Sequence, residues 1–272
     1  MEQTSNNKWD VFHDLNISQD ESTWDVFDEL QINYEKLINY KRDEYLKLIK
    51  KWDSKLEFLG KDSTHINWDN FRPLRLSREE DWSDWLAFLI ERSNTGFFAE
   101  NIFNITSFKQ DDYILPIKVL REENDYLGSF RADIIIQWKN KKYTHFEIKV
   151  GDPNLFKTFV ASQNFRRTYK VNNDDWSDYI LLLPNQVSDW ENALKLNNTD
   201  SKIVSITWKD IAIILRKSLF TDESISWKVW AYSFTGVIEQ KLLGLNNYWD
   251  LKDIPYTIND KIEILENAMK NE

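Results

Sequence analysis

The sequence predicts an α/β protein in which a central mixed sheet is flanked by helices and preceded by a helical N-terminal arm. From residue 73 onward, short apolar segments of strand length alternate with longer segments whose apolar residues recur every three or four positions. The first sixty or so residues show helical periodicity and a short duplication instead. We therefore divide the chain into an arm, residues 1–72, and a domain, residues 73–272.

Composition restricts the classes of protein. Of the 272 residues, 42% are hydrophobic and 29% charged, which is typical of a globular chain. The net charge of -10 and the pI of about 5.0 argue against a protein that coats nucleic acid nonspecifically through a basic surface. They are compatible with a nuclease that has a local basic groove. Without cysteine, disulfides, thiol nucleophiles and cysteine-ligated zinc are excluded. No apolar run approaches membrane-spanning length and no signal peptide is recognisable, so we expect a cytoplasmic protein with no membrane partner.

The arm contains a tandem repeat. The segment Trp9–Leu15 (WDVFHDL) recurs as Trp24–Leu30 (WDVFDEL), and a long helix is predicted over residues 33–58. Two copies are too few for a solenoid. The favoured interpretation is that the repeats pack on the protein itself, against the helix at 33–58. The alternative is a docking element for a protein partner or a second copy of the chain.

The domain is predicted to run in the order helix, three strands, helix, strand. A capping box at residues 77–80 begins the first helix, Asp152 and Pro153 begin the helix after the third strand, and another capping box at Ser188 begins a later one. The predicted strands are Tyr113–Leu120, Arg131–Trp138, Tyr143–Val150, Tyr179–Leu183 and Ile203–Ile206. The other predicted helices are Phe97–Phe103, 208–218, 225–243 and 259–270.

The third strand carries an unusual charged pair. Strand alternation places Glu147 and Lys149 on one face, while Phe146 and Ile148 point into a core. Charges inside an apolar strand cost free energy unless they are paired or bind a metal. Hydrolysis of a phosphodiester needs such groups, namely carboxylates that hold a divalent metal and a cation that stabilises the transition state.

The second strand supplies another carboxylate, Asp133, which the hairpin brings back beside Glu147. Residues directly opposite in an antiparallel pair share a face. A two-residue turn at Asn140-Lys141 would pair Asp133 with Ile148, on the wrong face. We therefore predict an odd-length loop or a bulge in this hairpin.

Asp133 followed by Glu147-Ile148-Lys149 after a hairpin resembles the PD-(D/E)XK nuclease superfamily, over roughly residues 77–206. Ala132 stands where the name-giving proline would be. The resemblance implies a restriction-endonuclease-like core in which Asp133 and Glu147 bind Mg²⁺ or Mn²⁺ and Lys149 holds or activates water. The carbonyl oxygen of Ile148 is a candidate third ligand.

The resemblance extends to neighbouring helices. Many members carry an acid in a pattern like E-x-x-x-(S/T)-x-x-L on the helix before the strands, which Glu79 matches, with Glu80 and Asp84 as alternatives. Many also carry a glutamine on the helix after the third strand. Gln163, six residues before Tyr169, matches it and would orient water or touch the phosphate backbone.

Basic residues follow on the same helix, where contacts with a nucleic-acid backbone are expected: Arg166, Arg167 and Lys170. A second basic group, Arg72, Arg75 and Arg78, precedes the acidic helix. His145 shares the strand face of Glu147, which would allow it to lie near the site, although a structural histidine is the favoured interpretation.

The expected function is metal-dependent hydrolysis of nucleic acid, DNA in preference to RNA. The resemblance alone suggests restriction or antiviral defence. The alternative is a non-catalytic nucleic-acid-binding or protein-docking module on the same fold, which need not bind Mg²⁺ or Mn²⁺ through Asp133 and Glu147.

Overall fold

The fold was analysed in a computed structural model, which describes residues 23–68, 76–103, 115–151, 156–197, 202–245 and 257–270. The chain divides into two units, residues 1–44 and 45–272. Helix α1 (Thr23–Lys55) provides the described part of the first unit and continues into the second. The second unit thus begins before residue 73, where the sequence placed the domain boundary, because Tyr45, Ile49 and Trp52 are buried in its core.

The tandem repeat is described only in part. Its first copy, Trp9–Leu15, lies outside the described residues, whereas the second, Trp24–Leu30, is helical and belongs to α1. The expectation that the repeats pack against a helix at 33–58 is therefore wrong for the second copy, because that copy and residues 33–55 form one continuous helix.

The second unit contains a five-stranded mixed sheet with the strands in chain order. The strands are β1 (Lys118–Asn124), β2 (Arg131–Gln137), β3 (Tyr143–Ile148), β4 (Trp176–Leu182) and β5 (Ile203–Thr207). The first three are antiparallel and the last three parallel. Since parallel neighbours need crossover connections, helices separate β3, β4 and β5.

The helices of this unit follow the predicted order. They are α2 (Glu79–Arg92), α3 (Phe97–Phe103), α4 (Phe156–Tyr169), α5 (Val187–Asn197), α6 (Trp208–Ser218), α7 (Ile225–Val237) with a π-helical turn (Ile238–Leu242), and α8 (Thr257–Met269). Around the hairpin the order is helix, three strands, helix, strand, as the sequence predicts. Among the described helices, none combines the length and the apolar character needed to cross a membrane, and this includes the 33-residue α1.

The first strand differs from its prediction, Tyr113–Leu120. It begins at Lys118 and extends to Asn124, which pairs with Arg131 of β2. Residues 121–124 are polar, so apolar content alone did not predict them as part of a strand. They can be polar because β1 lies at the edge of the sheet, where charged side chains are tolerated and discourage further pairing.

The predicted start of α4 at Asp152 and Pro153 lies outside the described residues. Two other helix starts differ from their predictions. Helix α2 has Arg78 rather than Ser77 at its N-cap, because the Asp81 carboxylate, and not that of Glu80, accepts hydrogen bonds from the amides of Ser77 and Arg78 at 2.9 and 3.0 Å. Glu79 is consequently the first residue of the helix. Helix α5 begins at Val187, before the predicted cap Ser188, since a 3₁₀ turn over Pro184–Gln186 leads directly into it.

Apolar side chains cover both faces of the sheet. On one face, Ile134, Ile136, Phe146 and Ile148 pack in the main core, which includes residues of α2, α3, α6 and α7. On the other face, Ile135 packs with Ala161 and Phe165 of α4, together with Trp176. Asp133, Glu147 and Lys149 alternate with the main-core residues and so belong to the α4 face.

A network of four charged side chains is buried next to Trp52 of the main core. Arg216 donates to Asp62 Oδ2 at 2.6 Å and to Glu239 Oε1 at 2.6 Å, and Lys261 also pairs with Glu239. All four are almost completely buried, and the Arg216 guanidinium lies 4.9 Å from the centroid of a Trp52 ring. Two acids and two bases balance each other, so burial leaves no net charge uncompensated.

Candidate active site

The β2–β3 hairpin sets the geometry of the site. Its loop is a single 3₁₀ turn of three residues, Lys139–Lys141, closed by a hydrogen bond from the Trp138 amide to the Lys142 carbonyl at 2.8 Å. Lys141 has a φ of 60°, the left-handed conformation that allows the chain to reverse. The predicted odd-length loop is confirmed.

This loop places Asp133 beside Glu147. Because Ile134 pairs with Phe146 and Ile135 with His145, the same register puts Asp133 opposite Glu147 and on its face of the sheet. Asp133 Oδ2 accepts a hydrogen bond from the Ile148 amide at 2.7 Å. The two carboxylates therefore converge at the end of β3.

Lys149 lies between two acids. Its Nζ donates to Glu147 Oε1 at 2.9 Å and lies 3.7 Å from Glu79 Oε2. Its main chain is also held, because its amide donates to the Leu181 carbonyl at 2.9 Å and its carbonyl accepts from Trp208 Nε1 at 3.0 Å. With a side chain only 7% exposed, the ammonium group is confined to the acid cluster.

Of the three acids on α2 considered from the sequence, Glu79 faces this cluster. Its Oε1 accepts from the Val150 amide at 2.9 Å, and its Oε2 faces Lys149. Glu80 instead pairs with Arg131 at 2.9 Å, and Asp84 pairs with Arg121 of the edge strand. The start of α2 at Glu79 explains the difference, because the first residue of the helix lies nearest the end of β3.

The cluster perturbs the ionisation of its members. Burial, reinforced by the charge of Glu147, raises the pKa of Asp133 to about 8. Burial would also raise the pKa of Glu147, but the neighbouring His145 imidazole and the charge of Lys149 hold it below its usual value. Burial would lower the pKa of Lys149, but Glu147 outweighs it and raises that pKa. Among these acids, Asp133 is the one whose protonated form is favoured in the metal-free protein, through burial first and the charge of Glu147 second.

His145 lies behind Glu147. Its ring is fully buried, with Nδ1 3.0 Å from Asp178 Oδ1 and Nε2 3.6 Å from Glu147 Oε2. Burial would lower its pKa, but Asp178 and Glu147 raise it to about 9. Sequence reasoning did not single out Asp178, because it precedes the predicted strand Tyr179–Leu183. The strand β4 in fact begins at Trp176, so Asp178 is a carboxylate within a mostly apolar strand, directly across from His145.

The other predicted site residues lie on α4, apart from the acids. Gln163 is partly buried, and no described contact joins it to Asp133, Glu147 or Lys149. Arg166, Arg167 and Lys170 lie at the C-terminal end of α4. Tyr169 of that end packs against Tyr143 and Trp176, where β3 and β4 begin, so these basic residues lie far along the sheet from Lys149. Arg72 and Arg75 lie outside the described residues.

The donors suit a hard divalent cation. Within the described part of the chain, no group of three or more His, Asp and Glu side chains is arranged to hold a metal ion. Mg²⁺, however, is usually bound by one or two carboxylates, together with waters and substrate oxygens. Asp133 and Glu147 supply that number, and Glu147 Oε2 is a buried oxygen without a hydrogen-bond partner among the described residues. Such an oxygen is costly unless a ligand satisfies it.

Comparison of the chain with protein-family models, curated proteins and solved structures found no match.

Proposed function

We propose that this protein is a metal-dependent nuclease of the PD-(D/E)XK type, built on a restriction-endonuclease-like core formed by α2, the three strands β1 to β3, α4 and β4. The observation that carries the proposal is the convergence of Asp133, Glu147, Lys149 and Glu79 at the end of β3. Placing three partly buried acids around one buried lysine is expensive for the metal-free fold, and chemistry that needs those groups accounts for their presence.

Each side chain has a role in the proposed reaction. Asp133 and Glu147 hold Mg²⁺ or Mn²⁺, which when bound polarises the scissile phosphate and lowers the pKa of water. Lys149, fixed by Glu147, orients the attacking water and stabilises the negative charge that develops on the phosphate. Glu79 restrains the Lys149 ammonium from the side of α2 and completes the acidic site.

The proposed substrate is nucleic acid, with DNA favoured over RNA. Because the chain carries a net charge of -10, binding requires a local basic surface. Arg166 and Arg167 supply cations on the helix that covers the sheet face of the acid cluster, and Lys170 supplies another directly after its last residue. At their end of α4 they would contact the phosphate backbone away from the scissile bond, and Gln163 lies between them and the start of the helix.

A cleavage assay tests the proposal. The full-length protein is incubated with single- and double-stranded DNA and RNA in Mg²⁺, Mn²⁺ or EDTA, beside Glu147→Gln as the matched control. We expect cleavage of at least one DNA substrate with metal and none with EDTA or with the variant. Binding of nucleic acid without cleavage would contradict the proposed nuclease activity and favour a non-catalytic binding module.

A further inference from the structure

A line of polar contacts runs from the interior of the sheet to Glu147. Trp176 Nε1 donates to Asp178 Oδ1 at 2.9 Å, and the same oxygen lies 3.0 Å from His145 Nδ1. On the other side of the imidazole, Nε2 faces Glu147 Oε2 at 3.6 Å. The register of β3 and β4 produces this line, because Tyr143, His145 and Glu147 lie directly across from Trp176, Asp178 and Ile180.

Packing fixes the plane of the imidazole. The Trp176 ring is stacked on it with centroids 6.2 Å apart, and the Phe165 ring lies on it at 5.4 Å. Asp178 is fixed as well, since it is mostly buried and held by Trp176. The position of Nε2 is thus set by three neighbouring side chains, and a side chain so constrained presents one atom in one place.

We propose that His145, oriented by Asp178, is a positioning residue that holds the Glu147 carboxylate in the orientation needed to bind a divalent metal. The inference rests on the proposed metal site. Lys149 holds Oε1 at 2.9 Å, and the imidazole edge faces Oε2, so the carboxylate is restrained on both oxygens. At 3.6 Å the contact with His145 is longer than a hydrogen bond, and Oε2 keeps its capacity for a ligand.

The complete burial of His145 excludes direct participation of its ring in catalysis. His145 has no exposed side-chain surface, so its ring cannot reach a substrate or a bulk water. Its effect must pass through Glu147. Groups that orient a metal ligand in this way commonly change metal affinity by about 10–100-fold when they are removed.

Two substitutions distinguish the two ends of the ring. The amide nitrogen of glutamine approximates the position of Nε2, next to Glu147, whereas that of asparagine approximates Nδ1, next to Asp178. We expect His145→Asn to weaken Mn²⁺ binding about 10–100-fold and His145→Gln to bind much closer to wild type. The Kd is measured on the full-length proteins by Mn²⁺ electron paramagnetic resonance, beside thermal melting. A structural role anchored at Asp178 predicts the reverse order.

Thr144→Val provides the matched control. It removes a buried side-chain hydrogen bond from the same strand, between Thr144 and Trp138 Nε1 at 2.8 Å, on the opposite face. We expect this variant to melt earlier and to bind Mn²⁺ as wild type does. Equal weakening in Thr144→Val and His145→Asn would overturn the inference, because loosening of β3 would explain both. Wild-type protein that binds no Mn²⁺ would overturn the proposed function together with the inference.

A measurement on the unmodified protein remains decisive if the His145 variants fail to fold. The chain has only three histidines, so the ring nitrogens of ¹⁵N-histidine-labelled protein are readily assigned. Addition of Mg²⁺ should shift the Nε2 signal of His145 more than its Nδ1 signal and leave His65, which pairs with Asp53, unchanged. An unshifted His145 in Mg²⁺-saturated protein would overturn the inference while leaving the metal site intact.

Discussion

The Asp133 carboxylate accepts a hydrogen bond from the main-chain amide of Ile148 at 2.7 Å, which ties the acid of β2 to the strand that carries Glu147 and Lys149. The contact exists because the hairpin loop has three residues, so that both acids occupy one face of the sheet. A loop one residue shorter would bury Asp133 in the apolar core instead.

Glu79 and Glu80 form a natural matched pair on α2. Glu79 contacts the Val150 amide and faces Lys149, whereas Glu80 pairs with Arg131 at the surface. We expect Glu79→Gln to lower the rate of cleavage about 10–100-fold, as loss of a group that orients a site residue commonly does, and Glu80→Gln to leave the rate unchanged. Single-turnover rates of the two variants test this expectation. Equal rates would contradict a role for Glu79 in the candidate site.

Asp133 makes the stability of the metal-free protein depend on pH between about 4 and 8. Its folded pKa of about 8 lies above its ordinary value of 3.8, so the native state keeps a proton that the unfolded chain has lost. This contribution to stability is complete below about pH 4 and is lost as the pH rises to about 8, by at most about 1.4 kcal/mol per pH unit. Asp133→Asn removes the titration and should melt increasingly above wild type over that range in EDTA. A difference in Tm that does not change with pH would contradict the assignment.

The sequence was informative about the site because charged side chains are unusual in and next to an apolar strand. Glu147 lies in a mostly apolar strand and Lys149 follows its last residue, and period-two alternation places them on one face. An odd-length loop or a bulge could be inferred from the requirement that Asp133 share that face, although nothing in Lys139–Lys141 specifies its length of three residues. Local patterns therefore predicted the central residues of the candidate site.

Contacts between distant segments were harder to predict. The choice of Glu79 depends on a helix start shifted by one residue, which the Asp81 side chain determines. The pairing of His145 with Asp178 depends on the parallel register of β3 and β4, which no local pattern specifies. The first strand was misplaced because an edge strand need not be apolar.

The buried network around Arg216 should stabilise the fold without contributing to the chemistry. Arg216→Met leaves Asp62 and Glu239 with only Lys261 for two negative charges, so we expect a loss of about 3–5 kcal/mol in the free energy of unfolding. Burial would raise the pKa of both acids, but Arg216 and Lys261 hold them below their usual values. The stability they contribute is therefore present above about pH 4 and lost as the pH falls below it.

Urea unfolding at neutral and acidic pH measures this effect. The difference between wild type and Arg216→Met should shrink in acid. Protonation of the two carboxyl groups favours the unfolded state of the wild type, whereas in the variant it relieves their repulsion in the folded state. A variant as stable as wild type at neutral pH would show that the network contributes nothing.

Removal of residues 1–44 should leave the candidate site intact. The second unit begins at Tyr45, and all the residues assigned to the site belong to it. We expect the truncated protein to keep its Mn²⁺ affinity and its rate of cleavage, as measured beside the full chain. Light scattering of both proteins reports whether residues 1–44 mediate self-association. Loss of Mn²⁺ binding on truncation would contradict the independence of the second unit.

The most direct test of the central claim is the rate of DNA cleavage in Mg²⁺ by the wild type and by Asp133→Asn, Glu147→Gln and Lys149→Ala, each shown to be folded by thermal melting. Each variant removes a preorganised charged group, so each should lose about 10²–10³-fold or more in rate. Arg92→Gln, at the far end of α2, serves as a control and should cleave as wild type does. Wild-type cleavage that depends on Mg²⁺ and is lost in all three variants is the predicted result, and undiminished cleavage by Glu147→Gln would contradict it.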